Sequence, residues 1–231
     1  MEDKMTGLRV CFVGDDLTTA LGDQGYLGWT DRLLRAEERL GANVSFFELG
    51  KPGDTIRDIA RRWENETAER MPRDMPGLLV FAFGLNDLAD DEQEGVRVSL
   101  PEHIFLVESI LRDAKDRHPV LWIGPPLITK IGRLTDQQGT RRKIRDERLA
   151  CLNDAYKNLA RVLAIPYLDL RAILQRDRRW SKQLPASDGV HPTKDGHALI
   201  AESVLTWSPW RAHLDRAQQR HVHPGLRLVG T

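Results

Sequence analysis

Five short apolar runs, at residues 8–13, 44–49, 78–83, 120–123 and 166–170, alternate with stretches of helical spacing. This alternation constrains the fold more than any other feature of the chain. The runs at 8–13 and 78–83 are almost continuously apolar, as suits strands buried on both faces of a parallel sheet. Between the first two runs, Leu27, Leu33, Leu34 and Leu40 recur among polar residues and stop at Gly41, which predicts a helix over 27–40. A second helix opens over 55–63, after the turn Lys51-Pro52-Gly53-Asp54. Further helices are expected at 101–117, with Pro101 tolerated in the first turn, at 145–163, and at 193–205. Pro125-Pro126 forces the chain out of the fourth strand into a long polar connection rich in Arg and Lys. Strands alternating with helices bury their apolar surface best as an α/β fold, a three-layer α/β/α sandwich.

At 231 residues the chain has room for one well-packed domain, read here as residues 1–206, with 207–231 as a C-terminal extension or arm. That tail carries Trp207, Trp210, His213, His221 and His223 without clear periodicity. It is read as an ordered arm or a frayed end whose tryptophans cover an apolar patch or support a homo-oligomer. Acidic and basic residues balance at 34 each, so net charge gives no reason to expect a nucleic acid or an anionic membrane as partner. No apolar run approaches the roughly 18 residues of a membrane span, and residues 1–7 lack the features of a secretory signal. The expectation is a cytoplasmic protein with no membrane insertion. Cys11 and Cys151 fall in a predicted strand and a predicted helix and are read as small buried hydrophobes.

Every polar motif capable of chemistry follows a predicted strand. The first run leads into Gly14-Asp15-Asp16-Leu17-Thr18, the second into Gly50-Lys51-Pro52-Gly53-Asp54-Thr55, and the third into Gly84-Leu85-Asn86-Asp87. Asp188-Gly189-Val190-His191-Pro192 precedes the last helix. Each alone reads as turn punctuation or a helix cap. Together they bring a histidine, several carboxylates, an asparagine and glycine turns to the carboxyl end of one sheet, where such folds place their ligand sites.

In order and spacing these four segments resemble the signature blocks of the SGNH (GDSL-type) hydrolases, over roughly residues 8 to 206. Gly25-Tyr26-Leu27-Gly28-Trp29 is likewise frequent in such enzymes. The resemblance implies a flavodoxin-like parallel sheet of about five strands and an acyl-ester hydrolase (esterase, lipase or acylhydrolase) scaffold. The implied partner is a small-molecule ester or related substrate, and neither cofactor nor metal is called for. His191 would be the general base, with Asp188 holding its imidazole. The oxyanion hole would be the N–H of Asp16, the N–H of Gly53 and the amide of Asn86. The equivalents of Asp15 and Asp87 brace turns.

The departure is at position 16, where the resembled pattern has the nucleophilic serine and this chain has Asp16. Thr18 and Thr19 lie two and three residues further along and would point elsewhere. Three readings stand. Asp16 fills the hole, accepts hydrogen bonds from Asn86 and Gly53, and pairs with protonated His191, which abolishes esterase activity. The protein is then a binding or scaffold descendant of an enzyme, or the aspartate is an introduced substitution. Alternatively Asp16 is itself a nucleophile toward an alkylating centre such as an epoxide, or it is a general base alongside His191. A cation held by Asp15, Asp16, Asp87 and Asp188 is the lesser alternative. Arg141, Arg142, Lys143 and Arg145 form a cationic cluster ahead of a helix, read as a solvated face or a greeting for an anionic head group. Trp29 is read as a packing residue.

Overall fold

A computed structural model describes residues 7–91, 95–135, 139–184 and 188–222, with the side chains of Asp91 and of residues 216–222 left aside. Five parallel strands form the central sheet: β1 (Leu8–Gly14), β2 (Val44–Gly50), β3 (Gly77–Ala82), β6 (Val120–Ile123) and β9 (Tyr167–Leu168), in the order β2-β1-β3-β6-β9. The predicted fold class and strand count both hold. β1 is an interior strand and almost wholly buried, and all four residues of β6 are buried, which explains their unbroken apolar runs. β2 is an edge strand and mostly half-buried.

Helices α1 (Trp29–Arg39), α2 (Ile56–Arg70), α3 (Leu100–Lys115), α4 (Asp146–Leu163) and α7 (Lys194–Leu205) fall on the predicted helical stretches, α2 running well past residue 63. They form two layers: α1 packs on α7, while α2, α3 and α4 are successive neighbours. Phe12 of β1 meets Trp29 of α1 edge-on at 5.3 Å, and Phe81 of β3 meets Trp63 of α2 at 5.9 Å. No described helix is long and apolar enough to cross a membrane.

Several features depart from the sequence reading. The connection after Pro126 contains an antiparallel hairpin, β7 (Ile131–Thr135) with β8 (Arg141–Arg145). Its inward residues Leu134 and Ile144 are buried, while Arg141, Lys143 and Arg145 of the cationic cluster lie exposed along β8. Two-residue strands β4 (Asp90–Asp91) and β5 (Gly95–Val96) pair after the third motif, and short helices α5 (Leu170–Arg176) and α6 (Arg178–Gln183) follow β9. Cys11 is buried, but Cys151 is exposed on α4, which corrects the reading of both as buried. The tail begins as α8 (Ser208–Val222). Trp210 and Leu214 are fully buried in the main core, and the Trp210 ring donates to Glu37 Oε1 of α1 at 2.8 Å. His223 lies outside the described residues.

The register sets up the site. Gly14 at the end of β1 is level with Gly50 of β2 and Ala82 of β3, so the loops leaving all three strands emerge side by side. The chain goes from β1 outward to β2 and then returns across β1 to β3. The gap between β1 and β3 is therefore the topological switch point, where a crevice forms in sheets of this kind.

Candidate active site

Asp15 is fully buried and acts as a brace. Its Oδ1 accepts the Leu17 N–H at 2.9 Å, and its Oδ2 accepts the N–H groups of Gly84 and Leu85 at 2.8 and 2.9 Å. The turn after β1 is thereby tied to the turn after β3. Burial pushes the Asp15 carboxyl up to about 8, the neighbouring Asp16 charge adds to this, and the N–H donors pull against it. Asp87 ties the third loop to the second: its Oδ1 accepts the Ile56 N–H, at the start of α2, at 2.8 Å. Thr18 and Thr19 turn their hydroxyls back to the carbonyls of Asp15 and Asp16, at 2.8 and 2.9 Å, and so spend them within the turn.

Between these braces lies Asp16, 7% exposed. Its Oδ2 accepts the Gly53 N–H at 2.9 Å and a short hydrogen bond from the Asn86 side-chain amide. Gly53 has φ +83°, a left-handed conformation in which most side chains are strained, and this aims its N–H inward. On the other side, Asp16 Oδ1 is 3.3 Å from His191 Nε2, and His191 Nδ1 is 2.5 Å from Asp188 Oδ2. Asp188 Oδ1 is occupied by the N–H groups of Val190 and His191 at 2.9 and 2.8 Å, which fixes the loop around the imidazole.

The imidazole thus sits between two carboxylates. Burial alone would lower its pKa, yet the hydrogen bonds and charges of Asp16 and Asp188 outweigh burial and raise it to about 9. Burial likewise works against the Asp16 anion, but His191, Gly53 and Asn86 together hold its pKa below the usual carboxylate value. Asp188 is held low in the same way, His191 outweighing burial. At neutral pH the arrangement is carboxylate–imidazolium–carboxylate. Asp15 gives both oxygens and Asp87 its Oδ1 to backbone N–H groups, and among the described residues no cluster is arranged to hold a metal ion.

The structure therefore brings together Asp16, Gly53, Asn86, Asp188 and His191, with Asp15 and Asp87 immediately behind them. Sequence reasoning missed the supports. Arg62 of α2 donates to the carbonyls of Gly14 and Leu49 and to Asp54, pinning the ends of β1 and β2, and nothing local in the sequence marks it. His103 of α3 is fully buried, 3.1 Å from Asp87 through Nδ1 and 2.5 Å from the Tyr156 hydroxyl through Nε2. Its signal was legible: it shares an apolar stripe with Val107, Ile110, Leu111 and Ala114.

The Asp188–His191 loop is held by the residues leading into the β7–β8 hairpin rather than by the central sheet. The Thr129 N–H donates to the Gly189 carbonyl at 2.9 Å, and Val190 is buried next to Gly132. Gly189 has φ +82°, and a Cβ there would lie 2.3 Å from the Thr129 hydroxyl oxygen. Gly189→Ala is accordingly expected to cost about 2 kcal/mol of stability, read from the urea midpoint. An unchanged midpoint would mean that the loop relaxes freely.

The chain matches the sequence pattern of the GDSL-like lipase/acylhydrolase family over residues 12–199. It is 26% identical over 219 residues to an acetylxylan esterase from Geobacillus stearothermophilus, an alignment covering 87% of this chain and 93% of that one. Among solved structures it is similar to a lipase/acylhydrolase from Enterococcus faecalis, with a TM-score of 0.67 at 20% identity over 85% of this chain and 93% of that one. A lipolytic G-D-S-L family protein from Veillonella parvula gives a TM-score of 0.68 at 19% identity, covering 88% and 99%.

Proposed function

The chain belongs to the GDSL-like lipase/acylhydrolase family, and from that premise we propose that its site is an ester-hydrolase site silenced by the side chain of Asp16. In this reading Asp16 stands where the family's nucleophilic serine would be. Gly53 N–H and the Asn86 amide are the oxyanion donors, His191 is the base, and Asp188 is its orienting acid. The observation that carries the reading is the position of the Asp16 carboxylate: one oxygen takes both donors while the other meets His191 Nε2. A tetrahedral intermediate places its negative oxygen on such donors and its proton on the histidine. The aspartate supplies that same charge permanently.

The same geometry disfavours Asp16 as an attacking group. Both its oxygens already face hydrogen-bond partners, three in all, and its lowered pKa makes it a weak nucleophile and a weak base. His191, raised to about 9, is protonated at neutral pH and has no free lone pair with which to activate water. The unaltered chain is therefore expected to leave p-nitrophenyl acetate at the buffer rate at pH 7. Sustained turnover proportional to enzyme, abolished in His191→Gln, would overturn the reading.

A further inference from the structure

The central sheet ends on one side in β2, whose outer edge is open among the described residues. Two bonds fix which backbone groups point outward: the Leu8 N–H donates to the Asn43 carbonyl at 3.0 Å, and the Lys51 N–H to the Gly14 carbonyl at 3.2 Å. Alternate residues of a parallel strand bond to the same neighbour, so Asn43, Ser45, Phe47, Leu49 and Lys51 face β1. Val44, Phe46, Glu48 and Gly50 turn their N–H and carbonyl groups away from the sheet. The Gly50 N–H donates to Glu48 Oε1 of its own strand at 2.7 Å. For the outward backbone groups of Val44, Phe46 and Glu48 no described residue supplies a partner. We infer that a second copy of this chain covers the edge, β2 pairing antiparallel with β2 about a two-fold axis at Phe46. The pairing is independent of the ester-hydrolase reading.

The edge is long and undefended. Proteins blunt their edge strands by keeping them short, by placing Lys or Pro on them, or by a bulge that breaks the register. The opposite edge of this sheet, β9, is two residues long. β2 has seven residues, Val-Ser-Phe-Phe-Glu-Leu-Gly, with neither Lys nor Pro, and its register with β1 runs unbroken from Val44 to Gly50. Glu48 is its single charged residue, and that carboxylate is turned back onto Gly50.

Self-complementarity names the occupant. With the axis at Phe46, the outward groups of Phe46 in one copy meet those of Phe46 in the other, and those of Val44 meet those of Glu48. Each such pair exchanges two hydrogen bonds at a Cα separation of about 5.5 Å. No like charges face each other across the axis. Acidic and basic residues balance at 34 each, so the copies approach without net repulsion. The side chains agree with this. Phe46 is half-buried, its ring 5.1 Å from Phe12 and 5.7 Å from Trp210. Phe46 of the second copy, on the same face of the joined sheet, extends that aromatic cluster and covers the open side of the ring. One strand edge buries little area, so the dimer is weak and forms in the micromolar range.

The test follows the full chain over a concentration series by sedimentation velocity and by residue-resolved amide hydrogen exchange. The mass should rise from monomer toward dimer, and over the same range the amides of Val44, Phe46 and Glu48 should slow about tenfold. Ser45 and Phe47, already bonded to β1, should not change. Glu48→Pro removes an outward N–H that the monomer does not use and should weaken dimerisation at least about tenfold. Glu48→Ala loses the same carboxylate but keeps the N–H, and should dimerise like the unaltered chain, which separates a lost donor from a damaged fold. A chain that stays monomeric throughout overturns the pairing. So does a dimer in which the three outer amides exchange freely, or one that Glu48→Pro leaves intact, since another face then joins the copies. Slow exchange of those amides in a monomer also overturns it, because the edge is then capped from within the same chain.

Discussion

Asp16→Ser is expected to raise p-nitrophenyl acetate hydrolysis at pH 7 by at least about 10³-fold over the unaltered chain, since loss of a triad serine elsewhere costs on the order of 10⁶. On the proposed reading, the groups the reaction needs already surround residue 16. Gly53 N–H and the Asn86 amide already converge on one oxygen, and His191 Nε2 is already aimed at residue 16. Once the carboxylate is gone, the histidine keeps Asp188 but loses the second anion that holds it protonated, so it can act as a base. Adding Asn86→Ala to the serine variant should then remove about 10²–10³ of the gain, the usual effect of one oxyanion donor. A serine variant as inactive as the unaltered chain toward several short esters would remove the case for a silenced hydrolase. The gain should have a cost, because the two donors lose their built-in acceptor. A drop of about 1–3 kcal/mol in unfolding free energy is expected for the serine variant.

The second large effect concerns stability rather than turnover. His191→Gln leaves the buried Asp16 anion without its cationic partner and is expected to destabilise the chain by about 3 kcal/mol at pH 7, measured by denaturant unfolding. The pH dependence identifies the cause. The pKa of His191 is raised from 6.5 to about 9, so the stability gained from its proton is complete below about 6.5 and is lost as pH rises through about 9. Asp16 is held below its ordinary 3.8, so its share is present above that value and is lost on acidification. The stability gap between the unaltered chain and His191→Gln should therefore be widest between these limits and close above pH 9. A gap that stays constant through pH 10 would show that His191 matters for packing alone.

Much of this was legible in the sequence, for identifiable reasons. The strands at 8–13, 78–83 and 120–123 announced themselves because both faces of an interior parallel strand are buried, which forces an unbroken apolar run. The site motifs were legible because each had to follow a strand end, and Gly14, Gly50 and Ala82 do lie level there. The hairpin was not. Its outward face alternates Arg133, Arg141, Lys143 and Arg145 with single buried residues, and over five residues per strand that pattern reads as a polar connection. Arg62 was hidden for another reason: its role comes from which elements pack together, and residue spacing carries none of that. Cys151 was misread because the helix was recognised but not the orientation of its faces.

Trp210 has a consequence for how the protein is made. Its ring lies 6.1 Å from Phe12, near the other end of the chain, and its indole N–H is bound to Glu37 of α1. β1 and α1 therefore wait for α8, whose Trp210 lies 173 residues beyond Glu37, before their shared apolar face is covered. A nascent chain stalled before residue 207 would expose Phe12 and Phe46 and leave Glu37 without its Trp210 and Arg211 partners, the state in which chaperone capture and aggregation compete with folding. Emergence of α8, rather than completion of the sheet, is then the event that closes this part of the core.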